Sequence, residues 1–347
     1  MPMFPSRPAE FYGFQEVGYE KGDFVARVTI RRPANFNAYS TPALRELAAA
    51  FTDAAEDDAV AVVVYTGEGT QAFCTGGDVK EYEREYTSRP RDYWKYMGLF
   101  KAYIESILNA GKPIIARING MAVGGGNESV LACDLAVMAE HAYLGQVGTS
   151  VGSVACGGAT QWLPLVVGDK RAREMLLLNP RISARQALEW GLVNRVAPSV
   201  TKDGAFLERA TKEQVALAQK GAEGYAINLS KLDDSVNDLC AQIVDKFPEC
   251  TRYTKQQANF WKDLSWHGTV GHARDWLSIH YCAWEPAEGM GAFVEKRKAD
   301  YRGLRARAAQ GKSSEFPWGA PKAACKACGA KNLPEAAPFC CSCGTRL

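Results

Sequence analysis

Residues 24–30, FVARVTI, form a β-branched run that predicts a strand, and RRPANFNAYS then breaks it with Pro and Asn. In STPALRELAAAFTDAAED, Ser40 or Thr41 stands where a helix needs an N-cap and Pro42 suits the first helical position, so the segment reads as a helix. VAVVVYTG (60–67) and KPIIARING (112–120) are near-continuous apolar runs, the pattern of strands buried on both faces. Residues 78–110 read as largely helical and rich in aromatics, with TSRPRD interrupting them. ESVLACDLAVMAE begins as a helix and leads into another strand. GDKRAREMLLLN and SARQALEWG read as short helices closed by Asn or Gly.

Strand and helix thus alternate from residue 24 to about 196, which predicts an α/β layered fold. From about 203 to 302 almost everything reads as helical. Residues 303–324, rich in Arg, Ala, Gly, Lys and Pro, read as a linker. The expected organisation is a core at 1–200, a helical region at 201–302, the linker, and a small module at 325–347.

Composition then excludes several classes. The 347 residues are 47% hydrophobic and 23% charged, enough for a large core. Lys plus Arg is 41 against 39 for Asp plus Glu, so there is no electrostatic footprint for nucleic acid or a membrane surface. No apolar run approaches the roughly 20 residues that span a bilayer. The first residues, MPMFPSRPAEFYGF, lack a basic region followed by an apolar one. The expected location is the cytoplasm.

Cysteine usage changes the picture at one end only. Of eleven cysteines, those at 325, 328, 340, 341 and 343 crowd the C-terminal module, whereas those at 74, 133, 156, 240, 250 and 282 are isolated. CKACGAKNLPEAAPFCCSCG holds two C-x-x-C pairs, Cys325/Cys328 and Cys340/Cys343, each followed by Gly. Two such knuckles supply four thiolates to one tetrahedral ion, and zinc suits that set best. All four ligands come from protein, so the role is structural. Cys341 is left over. The module resembles the zinc ribbons appended to many unrelated enzymes, and a protein partner for it is an open expectation.

Two glycine-bearing segments carry the candidate chemistry. QAFCTGGDVKEY (71–82) follows the strand at 60–67, and NGMAVGGGNESVLACD (119–134) follows the strand at 112–118. Each sets glycines between a strand and a helix, where N–H groups point outward and the helix dipole adds positive potential. Two such turns side by side would give two N–H donors to one oxygen, an oxyanion hole. Glu128, on the first helical turn after the second run, is then a candidate general acid or base, or simply a dipole-favouring residue at a helix start. The histidines at 141, 267, 272 and 280 form no metal-binding spacing.

AFCTGGD, KPIIARINGMAVGGGNESVLACD, LGQVGTSVGSVACGGATQWLPLVVG, SARQALEWGLVNRVAP and EPAEGMGAFVEKRKADY follow one another as in the crotonase (enoyl-CoA hydratase/isomerase) superfamily. The resemblance covers residues 20 to 302. It implies a spiral of ββα units with a C-terminal helical region, acyl-CoA substrates, no catalytic cofactor, and a homotrimer or dimer of trimers. By position it implies oxyanion-hole amides at Gly77 and Gly125, a catalytic glutamate at Glu128, and contacts of Phe293 and Lys296 with the CoA nucleotide. The second glutamate of a standard hydratase would fall at Gly148, which has no carboxylate. GQVG there, the aromatic-rich EYEREYTSRPRDYWKYM and the insert INLSKLDDSVNDLCAQIVDKFPEC resemble a smaller branch, that of the ring-opening 6-oxocyclohex-1-ene-1-carbonyl-CoA hydrolases of aromatic degradation. The expected reaction is water addition to a cyclic α,β-unsaturated acyl-CoA with hydrolytic ring C–C cleavage. Tyr82, Tyr86 and Cys156 are the candidates for the second polar group, though each also fits a packing role. The alternatives are an enoyl-CoA or dienoyl-CoA hydratase or isomerase that stops before ring opening, and a non-enzymatic relative docked through its ribbon.

Overall fold

The computed structural model describes residues 6–316, 321–322, 324–331, 333–334 and 337–347. Two compact units divide it, and both are discontinuous in sequence: residues 1–78, 99–147 and 155–270 form the first, and residues 79–98, 148–154 and 271–347 the second.

The first unit is built on two sheets threaded alternately. β1 (Val17–Gly22) and β2 (Val25–Ile30) form an antiparallel hairpin. β3 (Val62–Gly67), β5 (Ile114–Ile118), β7 (Leu135–Ala139) and β10 (Arg195–Ala197) extend it in parallel, giving the order β1-β2-β3-β5-β7-β10. β4 (Ala72–Cys74), β6 (Met121–Val123), β8 (Tyr143–Gly145) and β9 (Ile182–Ser183) form the second sheet, in the order β4-β6-β8-β9. In the three central turns, β3 and β4, β5 and β6, and β7 and β8, the chain gives one strand to the first sheet, one to the second, and then a helix. This is the ββα spiral expected from the motifs.

β3 and β5 are buried at every position, as their continuous apolar sequences require. The helix Thr41–Glu56 covers the sheet with Leu44, Leu47 and Phe51, all fully buried at i, i+3 and i+7. Ser40 caps that helix by accepting from the Ala43 N–H at 3.1 Å, with Pro42 in its first turn. Burial of each such side chain contributes about 1.5–3 kcal/mol.

Two segments differ from the sequence reading. Residues 201–227, expected to be part of a helical region, contain most of a small sheet in which Val200–Lys202 lies between Ala205–Phe206 and Tyr225–Ile227. The linker expected from residue 303 begins as helix, Tyr301–Ala309, with Asp300 accepting from the Gly303 N–H at 2.8 Å. Arg and Ala, read there as linker composition, are good helix formers once a cap starts the turn. Linker residues 317–320 and 323 lie outside the described residues.

The second unit contains residues 79–98, helical on either side of a break at Thr87–Arg89, the turn at Gly148–Ser150, helical segments after residue 271, and the cysteine module. Tyr82–Tyr86 form one π-helical turn. No helix among the described residues is long and apolar enough to cross a membrane.

Candidate active site

Pairing of β4 with β6 sets the two glycine turns side by side. Gly76, at φ +87°, lies so close to the second turn that a Cβ on it would sit 2.9 Å from the Gly125 nitrogen. Only glycine meets both demands. Next to it, Gly77 forms a parallel bridge with Tyr39, whose N–H donates to Gly76 O at 2.9 Å and whose carbonyl accepts from Asp78 N–H at 3.1 Å. Because polar groups alternate in direction along an extended chain, the Gly77 N–H is turned away from Tyr39. The Arg32 guanidinium holds the turn from below through Asp78 at 3.1 Å.

Gly125 opens the helix Gly125–Ala132. Its N–H is one of the first-turn donors that no helix satisfies internally, and it sits at the positive end of the dipole. A Cβ on Gly125 would collide with the Tyr39 hydroxyl, and one on Gly126 with the carbonyl of Cys74. The glycine run is therefore a packing requirement, with Gly124 and Gly125 half-buried and Gly126 buried.

Glu128 follows on the same helix face, three residues on. It is only 4% exposed. Its Oε1 accepts from the N–H of Gly157 at 2.6 Å and of Ala159 at 3.2 Å, where the helix Ala159–Val167 begins. Burial pushes its pKa up to about 7, against the lowering effect of those two amides. Oε2 is left on the side of the Phe100 ring. A Cβ on Gly157 would stand 2.7 Å from Oε2 and would overlap Phe100, so Gly157 keeps the carboxylate's approach clear.

Cys156 is buried in the same unit, and burial first, then the Glu128 carboxylate, holds its thiol well above the usual range. Burial of this kind favours the neutral thiol, which packs as a small apolar group. His141 is a structural residue: its ring nitrogens bond Ser199 Oγ at 2.7 Å and the Thr70 carbonyl at 2.9 Å.

Tyr82 and Tyr86 belong to the second unit. Tyr82 Oη pairs with Tyr96 Oη at 2.6 Å, and both rings join a cluster with Tyr93 and Tyr281. Gly148 also lies there, opening a 3-10 turn whose first carbonyl accepts from Val151 and Ser153 N–H. Phe293 and Lys296 end the helix Trp284–Val294 and its capping turn, both exposed. One residue of the first unit escaped the sequence reading: Tyr39, in NAYS, whose phenol meets Gly125. Its only sequence signal is an aromatic directly before the N-cap Ser40.

The module's four predicted ligands converge. The sulfurs of Cys325, Cys328, Cys340 and Cys343 all lie within 4.8 Å of one another, with Cys325–Cys343 at 3.7 Å and Cys328–Cys340 at 3.6 Å. A tetrahedral zinc with bonds of about 2.3 Å has sulfur–sulfur edges of about 3.8 Å, so the set fits. The two knuckles are alike: Gly329 N–H donates to Cys325 O and Gly344 N–H to Cys340 O, both at 2.8 Å, with both glycines at φ +73°. Leu333, Ala330 and Leu347 form the small apolar core around them.

The family model described as enoyl-CoA hydratase/isomerase matches residues 20–304. A Geobacter metallireducens protein named 6-oxocyclohex-1-ene-1-carbonyl-CoA hydrolase is 32% identical, over 92% of this chain and 88% of its own. A Thauera aromatica protein of the same name is 33% identical, over 84% and 82%. Among solved structures, an enoyl-CoA hydratase/isomerase from Xanthobacter autotrophicus Py2 aligns with a TM-score of 0.66 and 26% identity, covering 86% of this chain and 97% of its own.

Proposed function

Because the chain belongs to the enoyl-CoA hydratase/isomerase family, we propose that this enzyme adds water to a cyclic α,β-unsaturated oxoacyl-CoA and then opens the ring hydrolytically. The observation that carries the reading is Glu128. It is a buried carboxylate with its pKa raised to about 7, fixed through one oxygen, on the helix whose first amide belongs to a two-glycine donor site. The names of the two relatives supply the substrate class.

In the first step, Glu128 takes a proton from water as the water oxygen bonds to the β-carbon. The displaced electron pair moves through the α-carbon onto the thioester oxygen, where the Gly77 and Gly125 N–H groups stabilise it. Protonation of the α-carbon completes hydration. In the second step, water attacks the ring ketone and the bond between that carbon and the α-carbon breaks. Glu128 takes the proton of that water, the bond's electron pair enters the same thioester enolate at the same two amides, and protonation of the α-carbon completes the step. The product is an open dicarboxylic mono-CoA ester. One oxyanion site therefore serves both steps, which supports a single enzyme for the sequence.

Incubation with 6-oxocyclohex-1-ene-1-carbonyl-CoA and analysis by mass tests this. Two added waters are expected; one added water would leave hydration without ring opening, the alternative reading; none with this or a dienoyl-CoA would overturn both. In the same proposal, Cys325, Cys328, Cys340 and Cys343 hold a structural zinc, measurable as one equivalent per chain. Phe293 and Lys296 contact the CoA nucleotide. The assembly is a trimer or dimer of trimers, which light scattering reads directly. The expected setting is cytoplasmic aromatic degradation, and the ribbon is free to serve as a protein contact.

A further inference from the structure

The missing carboxylate at Gly148 leaves the α-carbon without an assigned proton donor. We infer that the phenol of Tyr39 is that donor, the second acid–base group of the site. The inference rests on the proposed hydration chemistry, and its test is chosen to separate the two.

Three observations place Tyr39 beside the groups assigned to the reaction. Its hydroxyl occupies the space directly off the Gly125 Cα, so that any side chain at Gly125 would overlap it. It therefore abuts the residue whose N–H receives the thioester oxygen. Gly125 and Glu128 are i and i+3 on one helix, so the face that meets the phenol is the face that carries the carboxylate. Phe100 ties them together: its ring stacks on Tyr39 at 5.6 Å and 25°, and lies on the Oε2 side of Glu128.

The phenol is also held rigidly. Tyr39 is 2% exposed, packed against Phe100 and Tyr103, and its backbone bridges Gly77. One residue thus fixes the first oxyanion turn through its main chain and reaches the second through its side chain. A 1 Å error in such placement costs heavily in rate, and this double anchoring guards against it.

The proton balance closes within the site. Glu128 removes a proton from water as the oxygen bonds to the β-carbon, and the enolate forms at Gly77 and Gly125. The Tyr39 O–H bond then breaks, its proton goes to the α-carbon, and the enolate electrons form the new C–H bond. The phenolate regains a proton from the Glu128 carboxylic acid, directly or through one water. The net change is one water across one double bond, with both residues restored.

The test reads the α-carbon alone. Wild type, Tyr39→Phe and Glu128→Gln are incubated in deuterium oxide with the saturated thioester cyclohexane-1-carbonyl-CoA, and deuterium at the α-carbon is followed by NMR. Wild type is expected to exchange this position, and Tyr39→Phe to lose at least ~100-fold of that rate, the lower range of general acid catalysis. Melting temperature and acyl-CoA affinity measured on the same Tyr39→Phe sample should stay at wild-type values, so that the loss falls on kcat and not KM. Incorporated 3-fluorotyrosine, which leaves the fold intact and acidifies the phenol, should lower the alkaline limb of the exchange profile. Exchange within twofold of wild type in Tyr39→Phe, or no exchange by wild type, would overturn the inference. Exchange that depends on Tyr39 without any hydration of cyclic substrates would keep the inference and remove the ring-hydration reading. Hydration unaffected by Tyr39→Phe would do the reverse.

Discussion

The glycine turns of the first unit and the cysteine knuckles of the second use the same resource, backbone N–H groups in tight turns, for opposite ends. At Gly125 the first helical amide has no place in the helix ladder, and neighbouring packing forbids a side chain. The chain sets that donor beside buried groups whose ionisation is discouraged: burial pushes the Cys74 thiol up to about 12 and the Glu128 carboxyl up to about 7. In the knuckles the turn amides of Gly329 and Gly344 bond back to the chain, and four sulfurs face inward with little apolar surface around them. There the Thr345 hydroxyl and amide push the Cys343 thiol down, while the Cys343 sulfur pushes the Cys328 thiol up. In the proposed reading, the first site keeps its donor for substrate, and the second would close every position around an ion.

Breaking the carboxylate tests the first half of that contrast most strongly. Glu128→Gln keeps the shape and the two amide contacts but cannot take a proton, and turnover should fall about 10³-fold. Steady-state kinetics with unchanged KM would locate the loss in the chemical step. Gly157→Ala comes next. Its Cβ would press on Glu128 Oε2 and Phe100, and overpacking of this kind costs about 1–3 kcal/mol, readable as a lower melting temperature together with lost activity.

Glu128 also makes a stability prediction with a definite sign. Its folded pKa, about 7, lies above the unfolded 4.5, so the folded state holds more protons between those values and stability falls as pH rises through that window. Full ionisation above pH ~7 costs about 3 kcal/mol. Glu128→Gln should accordingly melt higher than wild type at pH 8 and alike at pH 4. A loss of stability at pH 8 would remove the buried-charge account.

Ser40→Ala removes a single cap and should cost about 1 kcal/mol in a denaturant titration. The smallest expected effect probes the contrast from the ribbon side. If the proposed zinc is bound, chelation should unfold the knuckles while hydration changes less than about twofold, since a structural ion would take all four thiolates.

Much of this arrangement is legible in the sequence because strong local signals coincide with tertiary need. The Ser40–Pro42 start, the continuous apolar strands β3 and β5, and the paired C-x-x-C spacing all fold as read. The strands of the second sheet are only two or three residues long, too short to display a period, so the ββα repeat is visible mainly through family motifs. The β1–β2 hairpin hides for another reason. Its two-residue loop puts Asp23 at φ +50° and Phe24 at φ +63°, and Phe is not a residue that announces such a turn. Tyr39 is the most instructive omission. Nothing local distinguishes its phenol from a core aromatic, and its position depends on a contact with Gly125, eighty-six residues away.

The most direct measurement is the pH dependence of kcat/KM for water addition, with wild type and Glu128→Gln compared. The profile should rise to a plateau through an apparent pKa near 7, and the residual activity of the variant should lack that limb. A limb at an ordinary carboxylate value, or one that survives in Glu128→Gln, would contradict the assignment of Glu128 as the base.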